Sequence, residues 1–202
     1  MGIRAIIFDF DGTLIDSNRL KYDAYFMLFP ADNHHARIIR AVLSEIFEQS
    51  RFFILEEILR RLGAKEKHSL KREVGKLAER YNEIVLAGAK TCPEKPGAEE
   101  ALKRFVPAYG LYVSSTTPEA ALKEVLRFRK WDGYFRAVFG YPHKKPETLR
   151  RIIALEKVKS AQVLVVGDGE SDRKPAMDNG CPFLPVTEEF RFEDLERAVK
   201  GL

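Results

Sequence analysis

The chain has 202 residues, of which 45% are hydrophobic and 32% are charged, and its formal net charge is +4. This length is enough to bury a core as one domain with a large insertion or as two small domains, so no disulfide or structural metal is required. Cys92 and Cys181 lack C-x-x-C spacing, which favours a reducing compartment. No apolar run approaches the roughly 20 residues of a membrane span, and no signal peptide is visible. We therefore expect a cytoplasmic protein with no membrane partner.

The first predicted element is a strand over residues 3–8, an apolar run of β-branched and aromatic residues that leads into the motif DFDGT. A run that is apolar on both faces is typical of a strand in a parallel sheet. The carboxyl ends of such strands border the crevice where ligands bind in open α/β sheets. Two carboxylates there repel each other unless a cation neutralises them or one stays protonated. Asp9 and Asp11 therefore indicate a metal site, acid–base chemistry or both, although a charged turn after a strand gives the same pattern.

A helical insertion is predicted next, over residues 18–91. Apolar residues repeat at helical spacing in three stretches, and another helix is expected before Pro30. The predicted helical stretches are 19–29, 38–47, 54–62 and 70–85.

Residues 17–92 hold 14 Lys/Arg against 10 Asp/Glu, so the whole positive surplus of the chain lies in this segment. Since it contains no block of like charge and no basic run with interleaved aromatics, we expect an anionic small molecule rather than nucleic acid as the partner.

After the Pro-rich run CPEKPG, helices and strands alternate along the rest of the chain. The predicted helices are 97–106, 118–129, 146–155 and one that ends at Asn179, and the predicted strands are 110–115, 136–140, 161–168 and 182–186. Strands separated by helices imply right-handed crossovers and a parallel sheet. The predicted fold class is therefore α/β, a doubly wound parallel sheet. Residues 1–17 and 92–202 are expected to form the core and residues 18–91 an inserted helical cap.

The strand at 161–168 ends in carboxylates, as the first strand does. If the two strands are neighbours, Asp168 and Asp9 share the crevice, with Asp172 close by. Carboxylates, a backbone carbonyl and water make an oxygen-only octahedral site, which suits Mg²⁺. Asp172 fits a helix N-cap equally well.

Two further polar clusters follow strands or precede helices. In VSSTTPE, Ser114 offers a hydroxyl and nearby backbone N–H groups to phosphate oxygens, and Thr117 is the expected cap of a helix that begins at Pro118. In HKKPETL, either Lys144 or Lys145 could place a positive charge on a phosphoryl group. The ordinary alternatives are a turn that only caps a helix and a lysine that only contacts solvent.

The four motifs together resemble those of the haloacid dehalogenase (HAD) superfamily hydrolases, in the phosphatase branch with a helical cap that includes phosphoglycolate phosphatase and β-phosphoglucomutase relatives. The motifs, in chain order, are DFDGT, YVSST, KKP and GDGESD. The resemblance implies that Asp9 is the nucleophile and Asp11 the general acid and base. It also implies that the phosphoryl group is held by Ser114, Ser115 and Lys145, the lysine that directly precedes the proline.

The resemblance further implies a Mg²⁺ cofactor held by Asp9, the backbone carbonyl of Asp11 and Asp168, with Asp172 as a ligand or the neighbour of one. The implied activity is hydrolysis of a small phosphorylated metabolite through an aspartyl-phosphate. A phosphomutase of sugar phosphates has the same motifs, and a non-catalytic binding or regulatory protein on this fold is a second alternative. The sequence predicts neither the substrate nor the oligomeric state.

Arg51 is the candidate substrate contact in the cap. Helical-cap relatives often carry a Ser-Arg at a similar point, and the resemblance implies that this arginine binds the non-reacting anionic group of the substrate in bidentate fashion. The alternative is a surface arginine at a helix N-terminus that pairs with Glu48 or Glu56.

Overall fold

The computed structural model describes residues 2–47, 49–64 and 67–201. Its internal contacts divide the chain into two compact units. The core unit comprises Met1–Asp16 and Cys92–Leu202, and the helical unit comprises Ser17–Thr91.

The core unit contains a five-stranded parallel sheet in the order β3-β2-β1-β4-β5. The strands are β1 (Ala5–Phe8), β2 (Gly110–Pro118), β3 (Ala137–Tyr141), β4 (Val163–Gly167) and β5 (Phe183–Pro185). The central strand β1 is buried on both faces, as its uninterrupted apolar sequence predicts. The predicted doubly wound parallel sheet is confirmed.

The helical unit is built from four helices over its described residues. They are α1 (Asn18–Phe26), α2 (Asn33–Ile46), α3 (Arg51–Arg61) and α4 (Lys67–Thr91). Their apolar stripes pack into one shared core. Side chains cap two of the helices, because Asp32 accepts a hydrogen bond from the backbone N–H of His35 and Ser50 accepts one from that of Phe53. None of the described helices combines the length and apolar character needed to cross a membrane.

Five helices flank the sheet in the described part of the core unit. They are α5 (Ala98–Phe105), α6 (Glu119–Phe128), α7 (Lys145–Glu156), α8 (Glu170–Asp178) and α9 (Phe192–Gly201). The sequence did not predict α9, although its buried residues Phe192, Leu195 and Val199 follow a helical spacing.

The register of the central strands determines where the polar motifs meet. Phe8 at the end of β1 pairs with Val113 of β2 on one side and with Val166 of β4 on the other. Because all three strands run in the same direction, the residues that follow these pairs leave the sheet at one common edge.

Candidate active site

Asp9 and Ser114 stand next to each other at this edge. Each immediately follows one member of the Phe8–Val113 pair, and the backbone N–H of Asp9 donates to the carbonyl oxygen of Val166 at 2.9 Å. Both side chains are buried, as is that of Ser115. The structure thus brings the first and second motifs into one crevice, as their positions at strand ends predict.

A buried lysine joins the first motif to the last. Lys145, the first residue of α7, donates from Nζ to Asp9 Oδ1 at 2.9 Å and to Asp172 Oδ1 at 2.6 Å. The exposed fractions of these residues are only 8% for Lys145, 7% for Asp9 and 3% for Asp172. Lys144, by contrast, is exposed at the N-cap position of α7. The lysine directly before the proline is therefore the one that reaches the carboxylates.

Asp172 does not cap a helix, so the alternative interpretation of this residue is wrong. Gly169 occupies the N-cap position of α8, and Asp172 lies inside the first turn of the helix. From there its carboxylate accepts a hydrogen bond from Lys145 Nζ.

Burial and crowding of like charges control the electrostatics of this cluster. Burial raises the pKa of Asp9, the negative charges of Asp11 and Asp168 add to the effect, and Lys145 opposes it. Burial and the charge of Asp9 likewise raise the pKa of Asp172 to about 7, against the opposing effect of Lys145. Although burial acts to lower the pKa of Lys145, the two carboxylates raise it above its ordinary value. One ammonium group therefore does not neutralise the cluster, and a second cation would be stabilised there.

The residues present fit a hard divalent cation. Asp9, Asp168 and Asp172 each offer a carboxylate oxygen, and these atoms lie within 4.8 Å of one another. Asp172 Oδ2 is buried and has no hydrogen-bond partner among the described residues. Gly167 leaves room for this carboxylate, since a Cβ at residue 167 would lie 2.6 Å from Asp172 Oδ2. An oxygen-only set of this kind suits Mg²⁺.

Asp11 has different neighbours from Asp9, although only one residue separates them. It lies in a tight turn in which Gly12 has φ 76° and donates its N–H to the carbonyl of Ile15. Its carboxylate is 5% exposed, and Asp11 Oδ2 accepts hydrogen bonds from the Thr117 hydroxyl at 2.7 Å and the Ser115 hydroxyl at 3.5 Å. One carboxylate is thus paired with an ammonium group and the other with hydroxyls.

Thr117 is a site residue that the sequence interpretation missed. The predicted strand ended at residue 115, with Thr117 as a helix cap, but β2 continues to Pro118 and α6 has no side-chain cap. A signal for the longer strand was present, because the residue before a proline disfavours the helical conformation and prefers an extended one.

Arg51 lies in the helical unit as the first residue of α3, partly exposed. Its guanidinium donates to the side-chain oxygen of Asn82 in α4 and lies 5.9 Å from the centre of the Phe52 ring. Of the two expected solvent partners, Glu56 pairs with Arg60 at 2.6 Å, and Glu48 lies outside the described residues. The prediction that Arg51 binds substrate stays a prediction.

Comparison with known proteins gives matches over most of the chain. A family model described as haloacid dehalogenase-like hydrolase matches residues 3–177. A phosphoglycolate phosphatase from Photorhabdus laumondii is 28% identical over 198 residues, which cover 95% of this chain and 83% of that protein. A phosphoglycolate phosphatase from Psychrobacter arcticus is 24% identical over 180 residues, which cover 85% of this chain and 78% of that protein.

Among solved structures, the magnesium-bound HAD-hydrolase YfnB from Bacillus subtilis superimposes with a TM-score of 0.75. The match covers 99% of this chain and 100% of that chain at 15% identity, so it is evidence for the fold alone.

Proposed function

The chain belongs to the haloacid dehalogenase-like hydrolase family and is an enzyme of its phosphatase class, and from this premise we propose that it is a Mg²⁺-dependent phosphatase that acts through an aspartyl-phosphate on Asp9. The observation that carries the proposal is the division between two neighbouring carboxylates. Asp9 pairs with the buried Lys145, whereas Asp11 is held by hydroxyl groups. A nucleophile must stay anionic and an acid–base group must exchange a proton, so two such environments suit the two tasks.

In the first step an Asp9 carboxylate oxygen attacks phosphorus and the bond from phosphorus to the ester oxygen breaks. Asp11 gives its proton to the leaving oxygen, which departs as an alcohol. In the second step water attacks the phosphorus of the aspartyl-phosphate. Asp11 takes a proton from that water, and the bond from phosphorus to the Asp9 oxygen breaks, which releases phosphate and restores the carboxylate.

Lys145 and the serines would bind the phosphoryl group. Lys145 lies 2.9 Å from Asp9 Oδ1, so its ammonium group is close enough to stabilise negative charge on a phosphoryl group transferred to that carboxylate. Ser114 and Ser115, at the end of β2, would donate hydrogen bonds to phosphoryl oxygens. Mg²⁺ held by Asp9, Asp168, Asp172 and the carbonyl oxygen of Asp11 would supply Lewis-acid polarisation of those oxygens.

We further propose a short phosphorylated carboxylic acid, of the 2-phosphoglycolate type, as the substrate. Two relatives named phosphoglycolate phosphatase match most of this chain. The surplus of positive charge in residues 17–92 would favour a substrate that carries a second anionic group.

Phosphate release from 2-phosphoglycolate tests the proposal. Activity should require Mg²⁺ and be lost in EDTA, and rapid quenching with a ³²P-labelled ester should leave label on the wild-type protein. Asp9→Asn should be folded, inactive and unlabelled, whereas Asp178→Asn, at an exposed carboxylate of α8, should behave as the wild type.

Full turnover in EDTA or near-native turnover of Asp9→Asn would contradict the mechanism. Interconversion of sugar-phosphate isomers without release of free phosphate would instead assign a phosphomutase.

A further inference from the structure

The carboxyl end of β2 is irregular at the active site. Ser114 pairs with Phe139 of β3, and the next recorded pair is Pro118 with Tyr141. Four residue steps along β2 therefore match two along β3, and the surplus residues bulge out of the ladder. Bulges of this kind occur next to active sites because they redirect side chains that a regular strand would leave elsewhere.

Two contacts fix the backbone of the bulge at Thr117. A Cβ at Gly140 would lie 2.5 Å from the carbonyl oxygen of Thr117 and 2.6 Å from the backbone nitrogen of Glu119, so only glycine permits this approach of β3. On the other side, the backbone N–H of Thr117 donates to the Ser115 hydroxyl at 3.1 Å. The position of the Thr117 side chain is thus set by the fold rather than by a flexible loop.

In this position the Thr117 hydroxyl does not cap the helix that follows it. Threonine commonly caps the helix that it precedes, because its oxygen accepts an N–H of the first turn. Here α6 begins without a side-chain cap, and Thr117 instead donates to Asp11 Oδ2 at 2.7 Å. Departures from local preference of this kind are expected at functional sites.

We propose that Thr117 is a positioning residue that fixes the orientation of the Asp11 carboxylate for proton transfer to the leaving oxygen. This inference rests on the proposed phosphatase function and adds a residue outside the four motifs. With Oδ2 held by a donor on a fixed backbone, the carboxylate cannot rotate freely. Asp11 therefore presents the same geometry to the ester oxygen in every turnover.

The test compares Thr117→Val, which keeps the shape and removes the hydroxyl, with Thr117→Ser, which keeps the hydroxyl. The readout is kcat/KM for two substrates, because this ratio reports the steps up to the first irreversible one. An alkyl phosphate needs a proton on its leaving oxygen, whereas p-nitrophenolate leaves well without one. Thr117→Val should lower kcat/KM for the alkyl ester about 10- to 100-fold, a part of the 10²- to 10⁴-fold that general acid catalysis contributes.

For p-nitrophenyl phosphate the same variant should lose much less, and Thr117→Ser should stay near the wild type with both esters. An equal loss with both esters, no loss at all, or the same loss in Thr117→Ser would overturn the inference.

Crystal structures of the wild type and Thr117→Val provide a readout that does not depend on activity. The Asp11 carboxylate should change its rotamer or become disordered in the variant, and an unchanged carboxylate would overturn the inference. If the wild type hydrolyses neither ester, the proposed function fails by itself, and the crystallographic comparison still decides the role of Thr117.

Discussion

Replacing Lys145 by methionine should destabilise the metal-free protein severely. Lys145 lies between Asp9 and Asp172, at 2.9 Å and 2.6 Å, and all three residues are buried. Methionine keeps the length and the apolar stem of the side chain but removes the charge. Two buried carboxylates then face each other with no ammonium group between them, together with the nearby charge of Asp168.

Removal of one partner from a buried ion pair typically costs about 3–5 kcal/mol, because the remaining charge is left desolvated and uncompensated. Here one lysine serves two carboxylates, so we expect the upper part of that range for Lys145→Met. Such a loss is a large share of the roughly 5–15 kcal/mol that stabilises a typical folded domain. The double variant Lys145→Met/Asp172→Asn also lacks one of the two carboxylates that Lys145→Met leaves without an ammonium partner. It should therefore recover about 1–3 kcal/mol relative to Lys145→Met alone.

Urea denaturation in EDTA, followed by circular dichroism, measures these differences. The matched control is Lys144→Met, at the exposed neighbouring lysine, which should change the free energy of unfolding by less than about 0.5 kcal/mol. If Lys145→Met unfolds at the same urea concentration as the wild type, Lys145 is not confined between the two carboxylates. If the double variant is no more stable than Lys145→Met, charge repulsion is not the cause of the loss.

Three further predictions concern separate parts of the molecule. Gly167→Ala should displace the Asp172 carboxylate, which lies 2.6 Å from the added Cβ, and abolish Mg²⁺-stimulated activity. The control Gly169→Ala, whose added Cβ has its nearest contact at 3.6 Å, should lose far less activity. Equal losses of activity in the two variants would show that crowding of Asp172 is not the cause. Burial and a hydrogen bond to a carboxylate raise the pKa of Tyr112 from 10.0 to about 12, so the native state retains a proton that the unfolded chain loses. Stability should therefore fall as pH rises from 10 to about 12, and Tyr112→Phe should flatten that decline in urea titrations. Arg51→Ala should raise KM for 2-phosphoglycolate about 10-fold or more and spare p-nitrophenyl phosphate. A similar effect on both substrates, or on neither, would assign Arg51 a structural role such as its contacts with Asn82 and Phe52.

The fold class and the family could be predicted because their signals are local in the sequence. The apolar runs of β1 and β4 each end in an aspartate, and a strand with no polar alternation is stable only when both of its faces are covered. Such strands, separated by helices along the chain, predict a parallel sheet, and their two aspartates share an edge if the strands are neighbours. The family match over residues 3–177 confirms the recognition made from the four motifs.

Details that depend on pairing between distant segments could not be obtained in this way. The contact of Lys145 with Asp172 requires α7 and α8 to begin at the same edge of the sheet, and no spacing within either motif specifies which oxygen faces which nitrogen. The interpretation of Asp172 as a cap failed for a related reason. The first turn of a helix offers several positions to a carboxylate, and the buried lysine, which is distant in sequence, decides the direction of this side chain.

Thr117 illustrates a conflict between two local rules, and burial at the site decides the outcome. Threonine before a proline-led helix favours a cap, whereas the residue before a proline favours an extended backbone. The bulge between Ser114 and Pro118 keeps this stretch extended but out of regular register, and it brings the Ser115 and Thr117 hydroxyls together on Asp11. A cap would satisfy an N–H group at the start of α6, where Ala120 is exposed to solvent. Asp11 is 5% exposed and has little access to water, and a hydrogen bond lost from a buried carboxylate costs at least as much as a lost helix cap. The extended conformation therefore prevails, and the Thr117 hydroxyl donates to the carboxylate of Asp11.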